Sequence, residues 1–290
     1  MNRLLVVITS IALAIACLAG SAAVVEASSD TGSTHYYLAM GDSLAQGYQP
    51  DFPTFAYRDD GYVALLASAL RAGDPKLALE NISCGGESSV SMIGGSLSPE
   101  VASSCGTATF YRHQYPHRTQ LAEALSFLQS HKGKVSLITI DIGGNDLMPC
   151  LENNIPSGCL QTVLERLAAD LDTILAQIQA AAPGTRIVGM TYYDPFACLW
   201  YAGSGGQLQA GALSTIVQIL NSVLSSVYAA HGVAVADVAG AFDVGAFPES
   251  ADASRDMTWF CSSDHPGDIH PNDAGHALIR DAFLAEIAEV

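Results

Sequence analysis

The sequence predicts an α/β domain in which a parallel sheet is covered by helices on both faces. Three observations carry that expectation. Short apolar runs alternate with longer segments of helical periodicity along most of the chain. Breaks such as Pro183-Gly184 and His231-Gly232 punctuate the helical segments. No internal repeat occurs, and 290 residues suffice for one large domain with a sizeable core.

The expected strands are 36–40, 79–83, 135–142, 186–191 and 233–238, each an apolar stretch too short for a helix. The expected helices are 62–71, 119–131, 160–182, 208–231 and 272–287, where apolar residues recur at helical spacing. Segments 88–118 and 242–268, rich in Gly, Ser and Pro, read as irregular, and long irregular segments in a compact domain are usually functional or mobile.

The N-terminus reads as an export signal over residues 1–27, which leaves 28–290 as the folding domain. Arg3 supplies the positive start, 4–18 the apolar run, and Val25-Glu26-Ala27 the small-residue cleavage pattern. The competing readings are an uncleaved anchor, since apolar residues continue to Val25, and a lipoprotein at Cys17. Against the latter, Ala14 stands where a leucine is usual and Leu18 follows the cysteine. No later stretch reads as membrane-spanning, so the mature chain is expected to be secreted and monomeric. A formal net charge of −17 argues against nucleic acid and anionic membranes as partners.

Without Cys17, six cysteines remain, an even number suited to disulfides in an exported chain. Proximity in sequence pairs Cys84 with Cys105 and Cys150 with Cys159, leaving Cys198 with Cys261. No Cys-x-x-Cys and no Cys/His cluster has zinc spacing, so no metal or other cofactor is expected.

Ligands of an open parallel sheet sit beyond the carboxyl ends of its strands. Four segments satisfy that rule or lie in a loop near the end of the chain. Met40-Gly41-Asp42-Ser43 places a hydroxyl at a strand-ending turn. Ser83-Cys84-Gly85-Gly86-Glu87-Ser88 offers backbone N–H groups that a ligand can approach closely. Ile142-Gly143-Gly144-Asn145-Asp146 delivers an amide donor, and Asp268-Ile269-His270-Pro271 a base ahead of the last helix. Each fragment alone has a bland reading as a turn. Together they supply the nucleophile, base and oxyanion donors of acyl transfer.

These four segments, in this order, resemble the sequence blocks of the SGNH subset of GDSL esterases and lipases. Similarity extends to Ser91-Met92-Ile93-Gly94-Gly95, 120–128, 135–146, Ala182-Pro183-Gly184 and 190–196, nearly the whole mature chain, and is strongest toward extracellular actinobacterial enzymes. The resemblance implies a flavodoxin-like three-layer α/β/α sandwich with five parallel strands, and three disulfides in the cysteine order above. It further implies Ser43 as nucleophile, His270 as general base, and Gly86 and Asn145 joining the Ser43 N–H in an oxyanion hole. The family acid stands three residues before the histidine, where this chain has Gly267. The Asp268 carboxylate, the Gly267 carbonyl and Asp264 are therefore rival groups for orienting His270, and Asp268 has an alternative role as a helix cap.

Other residues read as structural. His276 falls inside the closing helix, His113 and His117 flank a Tyr/Pro loop, and Asn81-Ile82-Ser83 is a glycosylation acceptor on a strand expected to be buried. Trp200, Tyr201, Trp259 and Phe260 read as core or loop anchors, with the wall of an acyl pocket as the alternative. The expected function is hydrolysis of a small-molecule or lipid carboxylic ester. A carbohydrate deacetylase on the same machinery, or a non-catalytic cell-surface binding protein, are the alternatives.

Overall fold

Five parallel strands in the order β2-β1-β3-β4-β5 form the centre of the computed structural model, which describes residues 34–50, 59–94, 115, 118–152 and 155–288. The strands are β1 His35–Gly41, β2 Leu77–Asn81, β3 Val135–Asp141, β4 Arg186–Met190 and β5 Ala234–Ala236. This is the expected α/β fold with the flavodoxin-like strand order. The export segment, Cys105, His113 and His117 lie outside the described residues.

The helices are α1 Ser43–Gln46, α2 Tyr62–Gly73, α3 Ser89–Ile93, α4 Gln120–Ser130, α5 Gly144–Glu152, α6 Cys159–Ala181, α7 Gly203–Ala230, α8 Val238–Ala241, α9 Glu249–Met257 and α10 Asp273–Ala288. A 3-10 stretch, Ala197–Ala202, precedes α7. On one face α10 packs against α2, and on the other α6 packs against α4 and α7. The core between the layers holds Tyr37, Leu38 and Met40 of β1, Ile138 and Ile140 of β3, and Leu171, Leu224 and Phe283 of the flanking helices, all fully buried.

Several boundaries depart from the sequence pattern. β2 begins two residues earlier than expected because it pairs with β1 from His35 opposite Leu77, and it stops at Asn81, whose side chain accepts the Ser83 N–H. β5 is three residues long, not six, because the Asp237 carboxylate caps the following turn by accepting the Gly240 N–H. Helices α3, α5 and α9 occupy positions where no helix was expected. In α5 the Gly-Gly start and Pro149 hide the pattern, and α9 is too polar to show an apolar stripe. Within 197–230 a stretch of mean hydropathy 1.4 is long and apolar enough to cross a membrane, contrary to the sequence reading, yet its Leu220, Leu224 and Tyr228 are buried in the core.

Candidate active site

The carboxyl ends of β1 and β3 and the loop before α10 bring three of the expected side chains together. Ser43 opens α1, with Asp42 as its cap: Asp42 Oδ1 accepts the Leu44 N–H at 2.8 Å. The Tyr192 hydroxyl donates to Asp42 Oδ2 at 3.0 Å, and Asp141 Oδ2 accepts the Ala45 N–H at 2.9 Å. The turn that carries Ser43 is thus held by two buried carboxyls. Burial raises Asp42 to about 6 against its hydrogen bonds from Leu44 and Tyr192, and burial followed by the Asp42 charge raises Asp141.

His270 Nε2 lies 2.8 Å from Ser43 Oγ, and His270 Nδ1 lies 2.8 Å from Asp268 Oδ1. The same Asp268 oxygen accepts the His270 N–H at 2.9 Å, a short loop that turns acid and imidazole toward each other despite their two-residue spacing. Burial pushes the Asp268 carboxyl up, but the hydrogen bond and charge of His270 outweigh it and hold the group below the usual carboxylate value. The helix-cap role falls to Asn272, whose Oδ1 accepts the Gly275 N–H. Asp264 is exposed and accepts from Ser263.

The His270 backbone is fixed on both sides. Trp259 N–H donates to His270 O at 3.0 Å, and the Tyr193 hydroxyl donates to Ile269 O at 2.7 Å. The Tyr48 ring meets the imidazole edge-on, with centroids 4.3 Å apart. A disulfide between Cys198 and Cys261 ties this loop to the 3-10 stretch, and Cys150–Cys159 closes the turn from α5 to α6. Cys84 is also disulfide-bonded, and Cys105, expected as its partner, lies outside the described residues.

Asn145 is the second residue of α5, and its Nδ2 donates to the Glu87 carbonyl at 3.0 Å. Gly143, just before this helix, sits at φ +124°, where a Cβ would stand 3.1 Å from Leu167. Gly86 is exposed, with φ +78°, and lines an open cleft with Ser43, Gln46, Tyr48, Asn145 and His270. A second, mostly apolar pocket meets that cleft at Ser43, Asn145 and His270. Its walls are Leu147, Met148 and Leu151 of α5, Leu213, Ile216, Val217 and Leu220 of α7, and Tyr193, Pro195, Phe196 and Ile269. Among the described residues no group of three His, Cys, Asp or Glu side chains is placed to hold a metal ion.

A family model described as GDSL-like lipase/acylhydrolase matches residues 39–278. The chain belongs to that family. It is therefore an ester hydrolase by membership, and its fold agrees with that of solved structures of low sequence identity. Phospholipase A1 from Streptomyces albidoflavus NA297 is 21% identical over 88% of this chain and 100% of its own, with a TM-score of 0.56. An extracellular lipase from Streptomyces rimosus is 18% identical over 87% of this chain and 100% of its own, with a TM-score of 0.54. A putative GDSL-like lipase from Parabacteroides merdae is 16% identical over 88% and 95%, also with a TM-score of 0.54. No curated protein matches the chain by sequence.

Within this GDSL-like hydrolase the remaining sequence candidates have structural places. His276 is fully buried; its Nδ1 accepts the Tyr62 N–H, and burial lowers it to about 4. Asn81 is buried and donates to Ala45 O at 2.8 Å, so no glycan can reach it in the folded chain. Trp200 stacks on Phe247, the Tyr201 hydroxyl donates to Asp252, Trp259 Nε1 donates to Gln49, and Phe260 packs edge-on against Phe196. None of these four lines the apolar pocket; Phe260 backs its wall through Phe196. The sequence reading missed Asp42, Asp141, Glu87, Gln120 and Tyr192 around the turn. Their one sequence signal is polarity at positions where apolar residues were due.

Proposed function

We propose that this chain is an exported esterase or lipase that cleaves carboxylic esters through an acyl-enzyme on Ser43. The observation that carries the reading is the run of two 2.8 Å contacts from Ser43 Oγ through the His270 imidazole to Asp268. His270 Nε2 takes the Ser43 proton as Oγ attacks the ester carbonyl, then passes it to the departing alcohol. Water repeats the sequence to free the acid. Asp268 holds the tautomer and steadies the imidazolium through Nδ1. The Ser43 and Gly86 N–H groups and the Asn145 amide form the oxyanion hole; one Asn145 Nδ2 hydrogen is committed to Glu87 O, and the other serves the oxyanion.

The acyl chain occupies the apolar pocket, and the alcohol occupies the open cleft beside Gln46, Tyr48 and Gly86. The pocket is walled by Leu147, Leu151, Leu213, Ile216, Val217 and Leu220, a lining that favours a hydrocarbon acyl chain over the acetyl group of a carbohydrate deacetylase. Export rests on the 1–27 signal pattern and the disulfides, with 28–290 as a monomeric catalytic domain. The test compares p-nitrophenyl acetate, longer acyl esters and acetylated sugars in wild type and Ser43→Ala. The expected result is a kcat/KM that rises with chain length and vanishes in the variant. Preference for acetylated sugars would move the reading to the deacetylase, and undiminished turnover in Ser43→Ala would remove the mechanism.

A further inference from the structure

Gln120, the first residue of α4, is 1% exposed and spends its whole carboxamide on the segments that carry the proposed nucleophile and oxyanion donors. Its Oε1 accepts the Gly41 N–H at 2.6 Å, and its Nε2 donates both to Gly41 O at 2.9 Å and to Glu87 Oε2 at 2.9 Å. Gly41 stands two residues before Ser43, and Glu87 directly follows Gly86. The Glu87 carbonyl in turn anchors the Asn145 amide. One side chain therefore spans from the nucleophile turn to both oxyanion segments.

We propose that Gln120 is a positioning residue that sets the register of Ser43 against Gly86 and Asn145, with the Glu87 carboxyl selecting which way the amide faces. This rests on the acyl-enzyme reading above.

Two features make the assignment physical. Gly41 sits at φ +142° with its α-carbon against Asp141, where an added Cβ would lie 1.4 Å from Asp141 Oδ1. Gly41 cannot carry a bracing side chain of its own, so its N–H and C=O are gripped from outside. A primary amide also presents a donor and an acceptor in a single plane, matching the N–H and C=O of one residue. The Glu87 carboxyl accepts from Nε2 on one oxygen and from the Ser91 hydroxyl on the other, so a flipped amide would set two acceptors face to face. Burial raises Glu87 to about 7, and Asp42 and Asp146 are the charged groups that bear on it, with Asp141 of β3 beside Gly41.

The test uses Gln120→Met, which keeps the volume and deletes the amide, and Gln120→Glu, which keeps the shape and opposes a second carboxyl to Glu87. For Gln120→Met the expected result is a kcat reduced about ten- to a hundredfold with KM within about twofold, since a misplaced oxyanion donor costs transition-state binding only. For Gln120→Glu the ratio of its kcat to that of wild type should fall at least tenfold between pH 5 and pH 8, as the proton shared by the facing carboxyls is lost. A residue that only fills the core would show any such loss as unfolding in a thermal scan, with kcat per folded molecule unchanged across that range. Wild-type kcat in Gln120→Met, or a flat ratio in Gln120→Glu if the Met variant does not fold, overturns this proposal alone. Failure of a fluorophosphonate to label Ser43 in the wild type would overturn the acyl-enzyme reading, and the positioning role with it.

Discussion

The two halves of the candidate site are anchored by different means. Ser43 and Asn145 stand at strand ends whose turns are gripped by buried side chains: Asp42, Asp141, Tyr192, Gln120 and Glu87 are all below one-tenth exposed. Asp268 and His270 stand in an irregular loop held by backbone hydrogen bonds to Trp259, the Tyr193 hydroxyl and one disulfide. The strand-end half is part of the core, so damage there touches folding and catalysis together. The loop half is attached to the core at a few points, so it can lose its chemistry while the fold stands. A side chain that orients charge in the transition state is best altered in the loop, where kinetics and stability separate.

The largest separation is expected for Asp268→Asn. It keeps the loop contact to the His270 N–H but withdraws the charge facing the imidazolium, so kcat should fall by about a thousandfold or more with an unchanged melting temperature. Steady-state kinetics beside a thermal scan checks both. A fall within a few-fold would make Asp268 a spacer and leave a Ser43-His270 dyad. On the other half, Asn145→Ala should lower kcat by about a hundredfold with little change in KM, and it should also lower the melting temperature, because the Glu87 carbonyl loses its donor. A change confined to KM would assign Asn145 to ground-state binding.

Replacing Cys198 and Cys261 together with alanine frees the loop half from the 3-10 stretch, a separation of 63 residues. The expected loss is on the order of 2–4 kcal/mol in stability, with activity fading on heating before the core melts. Coincident activity and unfolding curves would contradict the independence of the two halves.

The smallest effect concerns buried acids at the strand ends. Asp194, after β4, is raised to about 6 by burial, offset in part by the Phe196 N–H. A carboxyl raised in the folded state binds its proton there and not in the unfolded chain between about pH 4 and pH 6, so it lowers stability as pH rises through that window. Asp194→Asn should therefore gain on the order of 2–6 °C over wild type at pH 8 and nothing at pH 4. An equal shift at both values would mean that the carboxyl is ionised in neither comparison or in both.

What the sequence disclosed follows the same division. The strand ends carry glycine turns, so the segments holding Ser43, Gly86 and Asn145 stood out by position, while the choice of these residues within them came from the family resemblance. The loop half was readable in its histidine, while for the partner of that histidine the sequence left Asp268, the Gly267 carbonyl and Asp264 open. Asp268 faces His270 because its Oδ1 also closes on the His270 N–H, a local turn that a two-residue spacing does not announce. The apolar pocket was invisible for a different reason. Leu147 and Leu151 lie on α5, which its Gly-Gly start and Pro149 disguise, and Leu213, Ile216, Val217 and Leu220 read from the sequence as ordinary core positions of α7. Gln120 and Glu87 were hidden because each bonds to a segment distant in sequence, 79 and 33 residues apart for Gln120 to Gly41 and to Glu87.

The central claim is that Ser43 attacks the ester and is acylated. The most direct measurement is peptide mass spectrometry of the protein after reaction with a fluorophosphonate, a covalent mimic of the tetrahedral intermediate. The account predicts one adduct, on the peptide containing Ser43, strongly slowed in Asp268→Asn and absent in Ser43→Ala. An adduct on another residue, or an active wild-type enzyme that forms none, would contradict it.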